Sequence, residues 1–310
     1  MNILITGIHG FVGSNLVKYL KGSNVIYGLD IVSPEVDGIV KTFSWDDLAS
    51  GLLPEVDAII HLAGKAHDTK KQSAAEVYFS VNTGLTQKIY DYFLATNTKK
   101  FIFFSTAKAA ADSVEGVLTE DITPTPVGPY GESKIKAEEY ILSCNTPEDK
   151  SFYILRPCMI HGPGNKGNLN LLYNVVSKGI PWPLGAFDNK RTFTSIENVC
   201  FAVHGLINKD VASGIYNMGD DEPLSTNELI DIICLVMGKK SRIWRLPKGM
   251  MKLSAKVCGW LHLPLNPERL RKLTENYVSS NIKIKCALGV ESMPVNAREG
   301  LIRTIQSFIN

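Results

Sequence analysis

Apolar residues follow two rhythms along this chain. Short, nearly unbroken runs alternate with segments in which they recur every three to four positions. Asn2-Ile-Leu-Ile-Thr6 is the first run, and Phe11, Val12, Leu16, Val17 and Leu20 form the first helical stripe. Runs of this kind suit parallel strands buried on both faces, and the stripes suit helices laid over them. Asn24–Asp30, Asp57–Gly64, Lys100–Thr106 and Phe152–Pro157 read as further strands, with another strand ending at Trp45-Asp-Asp-Leu48. The spacing predicts helices from Ala74 to Asn97, Pro129 to Tyr140 and Leu169 to Lys178. A later helix runs through Leu229, Ile232, Ile233 and Val236, capped by Ser225 or Thr226 and stopped by Gly238. Strand and helix alternate, so the class is α/β, with an open and mainly parallel sheet.

The first strand runs into Gly7, Gly10 and Gly13 just before the first helix. Free N–H groups and the helix dipole favour an anion such as a pyrophosphate there, and a Cβ would obstruct the turn. Asp30 ends the second strand about twenty residues further on, where an acid can accept from ribose hydroxyls and repel a 2′-phosphate. No arginine adjoins it, so NAD is expected over NADP. Asp47 and Leu48 are placed to flank the adenine, and small Ala63 and Gly64 allow close approach of a cofactor. His61 reads as a buried, hydrogen-bonded histidine, and Asn82 as a polar residue inside a helix with a task towards the sheet. Strand C-termini of an open α/β sheet face the ligand crevice, which makes Thr106 a site candidate. Tyr130 and Lys134 are one helical turn apart. A protonated lysine about 5 Å from the phenol, at an effective dielectric near 20, is worth roughly 3 kcal/mol, or about two pK units off a tyrosine. Such a phenol suits general acid–base work.

The 310 residues are 45% hydrophobic and 21% charged, the profile of an ordinary globular protein. A net charge of +2 gives no argument for nucleic acid. Met1 leads directly into the first strand and no apolar run spans a bilayer, so a cytoplasmic protein without a membrane span is expected. The six cysteines are scattered without a Cys-x-x-Cys, which fits reduced thiols and argues against a bound metal. The last third is richer in loops and basic residues, as a lobe gripping an anion would be. Gly249 to His262 reads as a short helix with Lys252 and Lys256 on one face. Packing over that lobe is preferred to an interfacial role for it.

Gly7-x-x-Gly10-x-x-Gly13, Asp30, His61-Leu-Ala-Gly64, Ser105-Thr106, Tyr130-x-x-x-Lys134 and Arg156-Pro157 occur in order. With them the chain resembles the extended short-chain dehydrogenase/reductases, and most of all the NAD-dependent nucleotide-sugar epimerase/dehydratase family. Ser105-Thr-Ala-Lys108 and Lys166-Gly-Asn168 resemble UDP-glucose 4-epimerases and UDP-N-acetylquinovosamine 4-ketoreductases. The resemblance implies a Rossmann-type doubly wound sheet over residues 1–162, with segments near 190–220 returning to it. A smaller C-terminal lobe, residues 163–310, would hold a UDP-sugar, and the protein would be a homodimer. It implies Tyr130 as catalytic base, Lys134 and Thr106 as its partners, and Leu62 and Pro157 beside the cofactor. Lys108 and Asn168 would touch the sugar nucleotide. Arg191 and Arg271 would face the diphosphate, with Arg269 equally near the latter's family position. The chain departs from the family at Ala107 to Ala111, at Gly64 and at Met159, where an asparagine is usual.

The leading function is C4 epimerisation of a UDP-hexose through a 4-keto sugar. The alternative is a 4-ketoreductase of a UDP-4-keto-6-deoxy sugar. A 4,6-dehydratase is disfavoured, because Ala107 and Lys108 stand where that chemistry needs an Asp-Glu pair. A non-catalytic NAD-binding regulator would tend to lose the tyrosine or lysine, and both are present.

Overall fold

The computed structural model describes residues 1–66, 74–165, 167–260 and 266–309. Seven parallel strands form its central sheet: β1 (Asn2–Thr6), β2 (Val25–Leu29), β3 (Lys41–Phe43), β4 (Ala58–His61), β5 (Lys100–Phe104), β6 (Ser151–Pro157) and β7 (Gly214–Met218). Their order is β7-β6-β5-β4-β1-β2-β3. The order reverses between β1 and β4, and in such sheets ligands bind outside the strand C-termini at that reversal.

The unbroken apolar runs have the cause expected of them. Side chains alternate between faces along a strand, and both faces here are covered. Ile3, Ile5, Ile60 and Ile102 pack into one core with α1 (Phe11–Leu20), whereas Leu4, Ile59, Phe101 and Phe103 pack into the other. Only glycine fits the β1–α1 turn. Gly7 has φ +65°, and a Cβ on it would lie 2.8 Å from Ala63 N.

The expectation of a strand reaching Leu48 is corrected. β3 ends at Phe43, and Trp45–Ala49 is a short helix, α2. Ser44 and Asp47 form a reciprocal capping box, in which the Ser44 N–H donates to the Asp47 carboxylate at 2.7 Å and the Asp47 N–H donates to Ser44 Oγ at 3.2 Å. Two satisfied backbone donors favour the turn of helix over continued strand. The helical stretch from Ala74 is interrupted by a π-helical segment, Phe79–Gly84, before α3 (Leu85–Ala95).

After β5 come α4 (Ala107–Ala110) and the long α5 (Pro129–Ser143). The C-terminal part contains α6 (Asn168–Ser177), α7 (Ile196–Asn208), α8 (Thr226–Val236), α9 (Lys248–Trp260), α10 (Pro267–Thr274) and α11 (Ala297–Gln306). α7 lies on the same face of the sheet as α1, through Val199, Val203 and Leu206. α6, α8 and α11 share a separate core built on Leu169, Ile232, Ile233 and Leu301. Ser225, not Thr226, caps α8, with Glu228 completing a capping box. Met251 and Ala255 of α9 pack on Leu184 and Leu270, and the end of that expected helix beyond Trp260 lies outside the described residues. All six cysteines are free thiols.

The deepest polar contact joins α5 to the sheet. Arg156 of β6 is 1% exposed and Glu138 of α5 is fully buried. The guanidinium donates to the carboxylate through Nη2 at 2.6 Å and Nε at 3.0 Å, and Ser105 Oγ donates to the same carboxylate. Glu138→Gln leaves a buried guanidinium without its counter-charge. We expect it to cost about 3–5 kcal/mol, read from the urea midpoint, with much of that recovered in Glu138→Leu/Arg156→Met. A loss below about 1 kcal/mol would show that the charge itself contributes little.

Candidate active site

α5 presents Tyr130, Lys134 and Glu138 along one face, each a turn apart. Glu138 is fixed by Arg156, and that contact sets where the other two lie. The Lys134 Nζ donates to the Phe104 carbonyl at 2.8 Å, at the end of β5, and sits 4.8 Å from the centre of the Phe103 ring. Tyr130 and Thr106 share a hydrogen bond. Thr106 also accepts from the Lys108 N–H at 3.3 Å, capping α4. Four predicted residues therefore converge beside the sheet reversal: Gly64, Thr106, Tyr130 and Lys134.

Gly64 belongs to the group for a reason the sequence did not reveal. A Cβ there would lie 3.0 Å from Asn82 Oδ1 and 3.1 Å from Lys134 Nζ, so the space left by the glycine is taken by this chain's own polar groups. Asn82, in the π-helical segment, accepts from the Lys65 N–H at 2.7 Å and donates to Ser133 Oγ at 2.9 Å. It ties the loop after β4 to the helix carrying Tyr130. The signal for it was a poor helix former in a helical stripe. Glu138, four residues beyond Lys134, was not singled out at all.

Burial overturns the expected electrostatics. The Tyr130 phenol is pushed up from its ordinary value, because burial outweighs the hydrogen bond to Thr106. Burial lowers the Lys134 ammonium to about 8, partly opposed by Glu138. The simple estimate of a lysine drawing the tyrosine down treated the pair as if only its mutual field mattered. Desolvation acts on both groups and is larger. His61 matches its reading: fully buried, between Thr6 Oγ1 at 2.7 Å and Thr86 Oγ1 at 2.9 Å, with burial holding it well below the usual imidazole value.

The β1–α1 turn fits a dinucleotide. Gly10 caps α1 without a side chain, and the first turn holds no acid, so the helix N-terminus faces outward unopposed. Gly13 packs on Ile8, where a Cβ would lie 2.7 Å from the Ile8 Cα. Phe11, Val12 and Leu62 rest half-buried on the adjacent core. Ala63 donates its N–H to Thr6 Oγ1 at 3.0 Å, and Pro157 ends β6. Asp30, just past β2, accepts from the N–H groups of His9 (3.1 Å) and Ile31 (2.7 Å). Asp47 is committed to its cap, and Leu48 packs on the core.

A second cluster lies towards the C-terminal lobe. Lys108 Nζ donates to Asp112 Oδ1 at 2.9 Å and lies 4.8 Å from the centre of the Tyr277 ring. Arg271 reaches the same Asp112 at 3.0 Å and Glu275 at 2.9 Å. Burial raises the Asp112 carboxyl, but hydrogen bonds from these two cations outweigh it and hold the acid down. Arg191 differs. Its guanidinium donates to the Lys272 carbonyl at 2.6 Å and has no carboxylate partner among the described residues. The backbone of Asn168 opens α6, and the contact expected of its side chain falls outside what the structure describes.

With this geometry in place, comparison with known proteins is direct. A profile of the NAD dependent epimerase/dehydratase family matches residues 3–219. The chain belongs to that family. It is 30% identical to a UDP-glucose 4-epimerase of Vibrio cholerae, over 99% of this chain and 95% of that one. It is 27% identical to an N-acetyl-alpha-D-glucosaminyl-diphospho-ditrans,octacis-undecaprenol 4-epimerase of Escherichia coli O157:H7, over 98% of this chain and 94% of that one. A solved NAD complex of UDP-glucuronic acid 4-epimerase from Bacillus cereus superposes with a TM-score of 0.76. It covers 100% of this chain and 99% of that one at 20% identity, a likeness that shows the fold. This family member is an NAD-dependent nucleotide-sugar enzyme. No described helix is long and apolar enough to cross a membrane.

The lowered Lys134 makes a pH prediction. Between about pH 8 and 10.5 the unfolded chain holds this proton and the folded one releases it. Stability therefore rises with pH across that window, and the desolvation penalty is fully present below it. In Lys134→Met the penalty is gone. The stability of wild type minus that of the variant should climb by up to roughly 3 kcal/mol from pH 7 to 10.5, by chemical denaturation without cofactor. A flat difference would show an ordinary lysine.

Proposed function

We propose that the chain is a C4 epimerase of a UDP-hexose. The observation that carries this reading is the joining of Thr106, Tyr130 and Lys134 at the end of β5, next to a glycine turn built for a pyrophosphate. Gly7, Gly10, Phe11, Val12 and Gly13 would hold the pyrophosphate, and Asp30 the adenosine ribose. Asp47 and Leu48 would flank the adenine. Leu62, Ala63, Gly64, Tyr130, Lys134 and Pro157 would line the nicotinamide end. NAD, when bound, would supply the hydride acceptor and, once reduced, the hydride donor.

Tyr130 takes the C4 hydroxyl proton and later gives it back. Thr106 hydrogen-bonds the reacting oxygen and holds it in reach of the phenol, which it also bonds. Lys134 places a positive charge where negative charge develops on that oxygen, in a dry pocket where it counts most. Arg191 takes the substrate diphosphate, because it is the site arginine with no carboxylate to satisfy it among the described residues. Lys108 and Asn168 would contact the sugar nucleotide. Arg271 contributes less, since Asp112 and Glu275 already hold its charge. Homodimeric assembly and a cytoplasmic location complete the proposal, and sedimentation velocity tests the first.

Incubation with NAD and a panel of UDP-hexoses should give the C4 epimer at equilibrium with no net change in cofactor redox state. Stoichiometric oxidation of NADH on a UDP-4-keto-6-deoxy sugar, without epimerisation, would assign the reductase reading instead. Tyr130→Phe should lower turnover at least about a hundredfold, the usual scale of general acid–base catalysis, and leave NAD affinity within a few-fold. More than a tenth of wild-type activity would place the base elsewhere.

The two arginines should separate in binding. Arg191→Ala should weaken UDP by about 1.5–3 kcal/mol in isothermal titration, the range for hydrogen bonds to charged groups, and leave NAD binding nearly unchanged. Arg271→Ala should cost less. Equal losses would mean that Asp112 does not neutralise Arg271 in the way its geometry implies.

A further inference from the structure

α9 has three faces. Met251 and Ala255 point inward onto Leu184 and Leu270. Lys248, Lys252 and Lys256 follow one another at four-residue steps along a second, exposed face. Met250, Leu253, Val257 and Trp260 recur at three- and four-residue steps on a third, and they are 45%, 63%, 49% and 81% exposed. Trp244, in the segment leading to the helix, is 55% exposed. Single exposed apolar residues are ordinary on a protein surface, but a stripe of four with a second indole nearby marks an interaction surface. The helix already has a buried face, so packing among the described residues does not account for the stripe.

The charge around the stripe is one-sided. Lys239, Lys240, Arg242 and Arg245 precede the three lysines of α9, and no Asp or Glu occurs from residue 232 to residue 267. The whole chain is nearly balanced, with 33 basic and 31 acidic residues, so the cations are segregated here. None of these seven cations forms an ion pair among the described residues.

We infer that this face of α9 docks on the anionic surface of a lipid bilayer. An apolar stripe beside lysines, ending in a tryptophan, suits a helix lying in the plane of the headgroups with its lysines reaching to lipid phosphates. The helix runs Lys248–Trp260, which at about 1.5 Å per residue is roughly 20 Å, so it lies along a membrane and does not cross one. A second copy is a poorer occupant, because face-to-face pairing sets lysine against lysine. α9 rests on α10, whose last turn carries Arg271 and whose Lys272 carbonyl receives Arg191. Docking thus holds the anion-facing arginines one helix away from the bilayer.

The test is flotation of the full chain with vesicles of phosphatidylcholine containing about 40% phosphatidylglycerol, against phosphatidylcholine alone. Wild type should float with the anionic vesicles and bind at least about tenfold more weakly to neutral ones, or in about 0.5 M salt. Leu253→Ser/Val257→Ser/Trp260→Ser and, separately, Lys252→Glu/Lys256→Glu should each lose at least about tenfold in vesicle affinity. Both should keep the wild-type unfolding midpoint and wild-type NAD affinity. Failure of wild type to float, or flotation of the triple variant as well as wild type, overturns the proposal. So does self-association or nucleic-acid binding through the stripe without vesicle binding. Vesicle binding is read without substrate, so it stands or falls apart from the epimerase reading.

Discussion

The buried contact between Glu138 and Arg156 is the constraint on which the site depends. Tyr130, Lys134 and Glu138 share a face of α5, so fixing the last of them sets the rotation and height of the other two. With the carboxylate held by Arg156 and Ser105, Lys134 falls opposite the Phe104 carbonyl and Tyr130 falls beside Thr106. A buried ion pair is weak evidence for stability, because desolvation consumes most of its attraction. Its consequence here is register. The bidentate contact fixes the direction of the Glu138 side chain, which a non-directional apolar pair of similar volume would not do.

Around that fixed helix the site divides by charge. On the cofactor side the protein offers backbone dipoles and one carboxylate, with no acid in the first turn of α1. On the C-terminal side it offers two cations on a single acid, with Arg191 set apart from them. Asp112 takes Lys108 and Arg271, and Arg191 is left with only a carbonyl. A diphosphate bound there, as proposed above, would meet one arginine without a carboxylate partner among the described residues and two cations already partnered. Arginine suits this place because it stays protonated and presents a planar fork to phosphate.

Much of this was legible in the residue pattern, and the misreadings share a cause. The glycine turn, the apolar strands and the Tyr130–Lys134 pair are local features, and local spacing carries them. Asp47 was assigned to a strand because its reciprocal cap with Ser44 was not weighed against the apolar rhythm. The direction of the Tyr130 shift was misjudged because desolvation depends on what packs over a residue, which no spacing reveals. Glu138 stood in plain view one turn past Lys134, but its partner Arg156 lies on another element. The nearness of Asn82 and Lys134 to Gly64 likewise comes from other elements, so the spacing around Gly64 does not show it. α9 presents two apolar stripes, and a helical wheel cannot tell which one the fold covers.

The two displaced groups bear on how the chemistry begins. An ordinary lysine loses its proton at about 10.5 and an ordinary tyrosine slightly earlier. In this pocket burial lowers the first to about 8 and raises the second, so the order is inverted. Burial therefore favours loss of the Lys134 proton before that of Tyr130 in the ligand-free protein. Near neutral pH the pocket holds a charged lysine and a neutral phenol. If Tyr130 is the base proposed above, its removal of a sugar hydroxyl proton would be coupled to departure of the C4 hydride, because burial disfavours a free phenolate. On the proposed epimerase reading, Thr106 would serve that coupling, because it bonds the phenol at the end of β5 and could hand a substrate hydroxyl to it over a short hydrogen-bonded path.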